Sequence, residues 1–123
     1  CSLLTVYVYL RDHKAGTRQV GATTDAELPG HVKSMAETLS FSNEADAAYH
    51  AHKHARELSS VPTPANEMVA YLKAAREFIR NKPGTLRQNQ DGSRSVVFEA
   101  DDMRAIVSIS VDGNASIATY GAI

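Results

Sequence analysis

Three histidines at alternate positions are the residues of this sequence best suited to chemistry. The stretch YHAHKHAREL (Tyr49–Leu58) places His50, His52 and His54 on one predicted helix, with Lys53 between the last two. At ~100° per residue, His50 and His54 lie on one side of that helix and His52 lies on the other. His54 falls at the border of the predicted apolar stripe, where packing can hold an imidazole in one rotamer.

Two kinds of chemistry fit this pattern. The i, i+4 spacing of His50 and His54 can ligate zinc, but no glutamate occupies the position of a zinc-protease base, and Lys53 opposes a dication. Alternatively, the His54 imidazole transfers a proton, Lys53 binds phosphate and Glu57 orients the ring. A polar helix face with no function is the third interpretation. We predict no metal and no other cofactor.

RNA cleavage is a reaction for which such groups are sufficient. RNA carries its own nucleophile, the 2′-OH, so cleavage needs a base, an acid for the leaving 5′-oxygen, and donors to the phosphoryl oxygens. Guanidinium groups suit the last role because they match phosphate in bidentate fashion. The candidates are Arg80, Arg87, Arg94 and Arg104. We favour Arg94 and Arg104, which open the central predicted strands, and His50 is a possible second proton carrier.

Hydrophobic periodicity indicates the elements that position these residues. β-Branched and aromatic residues predict a strand over Leu3–Leu10, and TRQVGAT predicts a second. Pro29–Gly30 is predicted to break the chain, and HVKSMAETL has the period of a short helix. The histidine helix is predicted to begin after Ser42, a good N-cap residue. Its predicted apolar stripe is Ala48, Ala51, Ala55 and Leu58.

The second half of the chain changes from a helical to a strand period. Thr63 and Pro64 start another helix, whose predicted inward residues are Met68, Leu72, Ala75 and Ile79. TLRQNQ, RSVVFE, RAIVSIS and ASIATY then predict four short antiparallel strands joined by tight turns. We therefore predict an α+β fold with N-terminal helices packed on one face of a small antiparallel meander sheet of about four strands. Alternation places Ile117 and Thr119 on one face of the last strand, opposite Ala118 and Tyr120.

Composition sets bounds on the class of protein. The 123 residues and 43% apolar content suit a single domain over 1–123, with a strand and helix part over 1–40 and a core over 41–123. The net charge of −1 gives no overall attraction to polyanions, although Lys73–Arg94 is a locally basic segment. No run approaches the ~20 apolar residues of a membrane span. The lone Cys1 excludes an internal disulfide, and a chain that starts at Cys1 is interpreted as a piece of a longer polypeptide or a processed product.

The order of these motifs resembles a known family. KHAREL, then MVAYLKAAREFI, then the segment from KPGTL to IATYG are similar to the colicin D-like cytotoxic ribonuclease domains of bacterial polymorphic toxins. Those domains lie at the C-termini of the toxins and have the barnase–EndoU–colicin–RelE fold. The resemblance runs from Ala48 to Tyr120. It departs from the family before Lys53, where more basic residues are expected, and in a longer spacing from Gly113 to Thr119.

The resemblance implies a role for each matching position. Lys53 and His54 match the catalytic Lys-His pair, and Glu57 matches its acidic partner. Thr119 matches the hydroxyl of the last strand, and Tyr120 would stack on a base or donate to the phosphate. Arg94, Arg104, Arg87 and His50 are then the expected substrate-binding residues.

The resemblance also implies an activity and a biological setting. The activity is a metal-independent endoribonuclease that forms a 2′,3′-cyclic phosphate and a 5′-OH, with tRNA as the substrate. A cognate immunity protein is the implied partner. The domain would leave its producer cell as part of a larger protein and act in the cytoplasm of a target cell.

Two alternatives stay open at this point. The first is a toxin domain with a ribonuclease A-like fold, whose first catalytic histidine lies nearer the N-terminus, as His31 does. The second is a non-enzymatic binding module, such as an immunity protein, which the balanced charge favours.

Overall fold

A five-stranded antiparallel sheet organises residues 15–123, the part of the chain that the computed structural model describes. The strands are β1 (Arg18–Gln19), β2 (Gly84–Gln88), β3 (Arg94–Ala100), β4 (Met103–Ile109) and β5 (Asn114–Ala122). Their order across the sheet is β1-β5-β4-β3-β2. The strand predicted over Leu3–Leu10 lies outside the described residues.

Three α-helices separate β1 from the other strands. They are α1 (Leu28–Ser34), α2 (Glu44–His54) and α3 (Glu67–Asn81), with short 3₁₀ turns at Ala36–Thr38, Ala55–Glu57 and Pro64–Asn66. The α+β prediction is confirmed, and β1 lies within the strand predicted for TRQVGAT. Because β1 joins the same sheet and precedes the helices, the sheet has five strands rather than about four, and the helices are not the first elements of the described chain. Among residues 15–123, no helix combines the length and apolar character that crossing a bilayer requires.

The hydrophobic core lies between the helices and one face of the sheet. The inward residues predicted for α3 are all buried: Met68, Leu72, Ala75 and Ile79. They pack with the inward residues of the central strands, which include Val96, Phe98, Ala105, Val107 and Ile109. The opposite face carries the alternate residues of the same strands, which are polar or only partly buried.

Two helix starts differ from the prediction. Pro29–Gly30 does not break the chain, because α1 begins at Leu28 and holds the proline in its first turn, where the missing N–H costs nothing. The N-cap of α2 is Asn43 rather than Ser42, since the Asn43 side chain accepts a hydrogen bond from Asp46 N at 2.8 Å. The fully buried stripe that follows is Ala47, Ala51 and Ala55, with Ala48 and Leu58 partly buried.

Strand β5 contains a β-bulge that alternation did not predict. Ile106 pairs with Thr119 but Val107 pairs with Ile117, so Ala118 is an extra residue. A bulge reverses the alternation of the side chains that follow it. Ile117 is buried towards the helices, whereas Thr119 lies on the opposite face of the sheet. The prediction that Ile117 and Thr119 share a face is therefore wrong.

Beyond β1, side chains from the helical layer form hydrogen bonds with backbone groups at the edge of β5. Tyr120 N donates to the Tyr71 hydroxyl at 3.1 Å, and that hydroxyl donates to Tyr120 O. Ala122 N donates to Glu57 Oε1 at 2.6 Å. Because an open sheet edge leaves backbone groups unsatisfied, these contacts complete the edge and fix α2 and α3 against the end of β5.

Candidate active site at the end of strand β5

His54 and Glu57 form a hydrogen-bonded pair where α2 ends. His54 is the last residue of the helix, and the 3₁₀ turn Ala55–Glu57 brings the carboxylate back to the ring. His54 Nδ1 lies 2.9 Å from Glu57 Oε1 and 3.0 Å from Oε2. An ionised carboxylate can only accept hydrogen bonds, so Nδ1 is the donor. Nε2 is thus the ring atom that remains for proton transfer.

Glu57 is held in its ionised form. Partial burial acts to raise the pKa of this carboxyl, but the hydrogen bonds from Ala122 N and His54 and the charge of Lys53 outweigh it. The pKa therefore lies below its usual value. The negative charge beside Nδ1 fixes the tautomer of His54.

Gly121 lets this pair approach the strand. A Cβ added at Gly121 would lie 2.5 Å from His54 Nδ1 and 2.8 Å from Glu57 Oε1, both closer than real Cβ contacts. Any side chain here would displace the ring or the carboxylate. Gly121 was not predicted as a site residue, although a glycine inside a strand pattern often marks a close approach.

A small cavity lies beside the His54 ring. Its volume is about 140 Å³, and it is lined by His54, Arg104, Ile106, Thr119, Gly121, Ala122 and Ile123. Thr119 contributes because the bulge at Ala118 turns it to this face. Pockets for whole ligands occupy about 300 Å³ or more, so this cavity suits a group of phosphate size.

Arg104 reaches the cavity from the neighbouring strand. It pairs with Gly121 in the β4–β5 register and with Glu99 in the β3–β4 register. Its Nε and Nη2 atoms each lie 3.2 Å from Glu99 Oε1. This contact orients the guanidinium while leaving the Arg104 side chain 41% exposed.

Arg104 also lines a larger groove on the same face of the sheet. That groove has a volume of about 600 Å³ and is lined by Pro83, Thr85, Leu86, Arg87, Val97, Glu99 and Arg104. The two cavities share Arg104, so Arg87 and His54 lie on either side of one arginine.

Arg94 is not brought to this site. It lies opposite Ile109, at the other end of β4 from Arg104, and its guanidinium is ion-paired with Asp25. Of the two arginines that the sequence analysis favoured, Arg104 lines the cavity beside His54 and Arg94 does not. Arg94 and Arg104 were chosen because each lies at the start of a strand. In an antiparallel pair, however, the two strands start at opposite ends of the pair.

Tyr120 belongs to the core rather than to the cavity. Its ring packs against Tyr71 and Phe78, with centroid separations of 5.8 Å and 5.1 Å, and burial raises its pKa. The ring is 7% exposed, so it cannot stack on a nucleobase in this arrangement. The bulge that exposes Thr119 is what turns Tyr120 inward.

His50 supports the His54 ring. It stacks between Phe41 and His54, at centroid distances of 5.8 Å and 6.0 Å. Its Nδ1 is buried and has no hydrogen-bond partner within residues 15–123. Burial, followed by the charge of the neighbouring His54, lowers the pKa of His50. A neutral packed ring is poorly suited to hold a phosphate.

Two other residues of the histidine stretch face solvent. Lys53 is exposed, with its Nζ 5.7 Å from the centroid of the Tyr49 ring. His52 is 66% exposed and lies 4.0 Å from Glu67. Neither residue lines the cavity beside His54.

The histidine of the ribonuclease A-like alternative lies elsewhere. His31 is on α1, which contacts β2 and β3, whereas α2 contacts β5. His31 and His54 therefore lie over different edges of the sheet. Within residues 15–123, no group of three or more His, Cys, Asp or Glu side chains is arranged to hold a metal ion.

Comparisons with protein-family models, with curated proteins and with solved structures found no match to this chain. A function for this chain therefore has to be inferred from the geometry of the site, together with the resemblance of its motifs to toxin ribonucleases.

Proposed function

We propose that this chain is a metal-independent endoribonuclease domain that cleaves RNA through attack by the 2′-OH. One observation supports this most directly: His54, oriented by Glu57, shares a phosphate-sized cavity with Arg104 and Thr119. A proton carrier, a cation and a hydroxyl donor are the groups that the reaction requires.

Each of these groups has a role in the reaction, and His54 acts first as a base and then as an acid. His54 Nε2 accepts the proton of the 2′-OH as that oxygen bonds to phosphorus, and the bond from phosphorus to the 5′-oxygen breaks. The imidazolium then returns the proton to the leaving oxygen, so the products are a 2′,3′-cyclic phosphate and a 5′-OH. Arg104 and Thr119 stabilise the charge on the non-bridging oxygens.

Lys53 has a supporting role in this proposal. Its ammonium group is exposed one residue before His54, so it attracts the RNA backbone towards the site rather than contacting the reacting phosphate. The resemblance to toxin ribonucleases adds the biological part of the proposal. It suggests tRNA as the substrate, an acidic immunity protein as the partner, and delivery into a target cell.

Incubation of the full chain with total RNA tests the proposal. We expect cleavage that EDTA does not prevent and that falls by about 10²-fold or more in His54→Ala, because the proton carrier is gone. The matched control is His52→Ala, which removes an exposed histidine of the same helix and should leave cleavage unchanged. Cleavage abolished by EDTA would contradict the metal-free mechanism.

Expression in bacteria without a partner protein separates this proposal from a binding module. The ribonuclease should arrest growth, and His54→Ala should relieve the arrest. A chain that cleaves no RNA and does not slow growth would overturn the ribonuclease proposal and favour the binding module.

A further inference from the structure

We infer that the 600 Å³ groove beside Arg104 is a second RNA subsite, in which Arg87 binds a phosphate at least one nucleotide away from the one that is cleaved. This inference rests on the proposed function, since it gives that site its substrate class: a single-stranded segment longer than a dinucleotide.

Among residues 15–123, Arg87 differs from other arginines near it in having no ion-pair or hydrogen-bond partner. Arg80 is ion-paired with Glu37, Arg94 with Asp25, and Arg104 with Glu99. Within residues 15–123, the guanidinium of Arg87 makes neither an ion pair nor a hydrogen bond. An exposed and unpaired guanidinium in a groove is available for a ligand, and phosphate is the anion that its geometry fits best.

The register of the sheet gives the spacing of the two arginines. Arg87 pairs with Ser95 on β3, and Arg104 pairs with Glu99 four residues further along the same strand. With strands ~4.8 Å apart and ~3.3 Å per residue, the two Cα atoms are separated by roughly 16 Å. This separation exceeds the step between adjacent phosphates. Arg87 would therefore contact a phosphate at least one nucleotide away from the scissile one.

The lining of the groove favours unpaired nucleotides. Pro83 and Val97 add apolar surface to the groove, and Thr85 adds a hydroxyl. Apolar surface with flanking cations is typical of sites for single strands, whose bases are free to pack on protein. The volume is within the range of small-ligand pockets, so a double helix would not enter it.

Cleavage of oligoribonucleotides of increasing length tests the subsite. A dinucleoside monophosphate has only the scissile phosphate, so it cannot use Arg87, whereas a hexanucleotide can. We expect kcat/KM of the full chain to rise with length. Arg87→Ala should lower kcat/KM by about tenfold for the hexanucleotide, the loss of one charged hydrogen bond, and leave the dinucleotide value unchanged. The control is Arg80→Ala, which removes a paired arginine outside the groove.

The outcomes separate the subsite from the activity itself. If Arg87→Ala lowers cleavage of both lengths equally, or of neither, the subsite is overturned while the ribonuclease proposal stands. The same conclusion follows if the unmodified protein cuts duplex RNA as fast as the single strand. If the unmodified protein cleaves no RNA of any length, both proposals are overturned.

Discussion

At the scale of single residues, the charge and the position of Glu57 contribute separately to the proposed cleavage reaction. Glu57 Oε1 is close to both His54 Nδ1 and Ala122 N, so a glutamine can keep the geometry and lose only the charge. We expect Glu57→Gln to lower kcat by about tenfold and Glu57→Ala by about 100-fold, in line with losses of orienting partners elsewhere. Single-turnover cleavage measures both. Equal rates in the two variants would show that orientation of the ring is unimportant.

His50 makes the stability of the protein depend on pH. Burial lowers its pKa below the usual 6.5, so the unfolded chain binds a proton in a range where the folded protein does not. Acid therefore stabilises the unfolded state more than the folded state. The contribution of neutral His50 to the free energy of unfolding is complete above pH 6.5 and decreases as the pH falls below 6.5. Glu57 adds a similar loss below its usual pKa of 4.5, because its pKa is lowered as well.

Urea denaturation between pH 8 and pH 5.5 tests this assignment. The midpoint should fall with pH in the natural chain and fall less in His50→Phe, which keeps a stacked ring that cannot be protonated. His52→Gln is the control, because His52 is exposed. An unchanged slope in His50→Phe would assign the pH dependence to other groups.

At the scale of elements, the approach of α2 to β5 depends on Gly121. Gly121→Ala should lower cleavage by about tenfold or more, because the new methyl group displaces the His54 ring. Gly30→Ala on α1 is a matched control, since nothing lies within 4 Å of its added Cβ. That change should keep activity and stabilise the helix by about 0.5–1 kcal/mol. Full activity in a folded Gly121→Ala variant would contradict the placement of His54.

Tyr71 joins α3 to the edge of β5 through its hydroxyl. The residue is fully buried, and its hydroxyl is bonded to both the N–H and the carbonyl of Tyr120. Tyr71→Phe leaves these backbone groups without that partner, so we expect a loss of about 1–3 kcal/mol in the free energy of unfolding. Chemical denaturation measures it. A loss below about 0.5 kcal/mol would mean that water or a shifted strand replaces the hydroxyl.

Elements with a strong hydrophobic period could be predicted from the sequence, whereas irregular features such as the β-bulge could not. The inward face of α3 follows from apolar residues repeating at helical spacing, which needs no knowledge of the rest of the fold. The bulge at Ala118 depends on how β5 pairs with β4, and no local pattern specifies that register. The predicted face of Thr119 was wrong for this reason.

At the scale of the whole molecule, the positions of individual cations matter more for the proposed RNA binding than the total charge does. The net charge is −1, and several basic residues are neutralised by nearby carboxylates, such as Arg80 by Glu37 and Arg94 by Asp25. Under the proposed function, RNA is attracted by Lys53 and by Arg87 and Arg104 on the face of the sheet away from the helices. Of the locally basic segment Lys73–Arg94, the proposed binding surface includes Arg87 but not Arg80 or Arg94.

Spacing along the chain predicts the proximity of only those site residues that are close in sequence. His54 and Glu57 are three positions apart, so helical geometry brings them together. Arg104 and Gly121 reach the site through the β4–β5 register, which the sequence alone does not give. Arg94 was chosen by its place at the start of a strand, without knowledge of where that start lies in the sheet.

The most direct test of the central claim compares two versions of one RNA. A single-stranded oligonucleotide is incubated with the full chain, its cleavage position is mapped, and the same RNA is made with a 2′-deoxyribose before that position. We expect the first RNA to yield a 2′,3′-cyclic phosphate and a 5′-OH, and the second to resist cleavage there. Cleavage of the 2′-deoxy RNA at the same position, or products with a 5′-phosphate, would contradict attack by the 2′-OH.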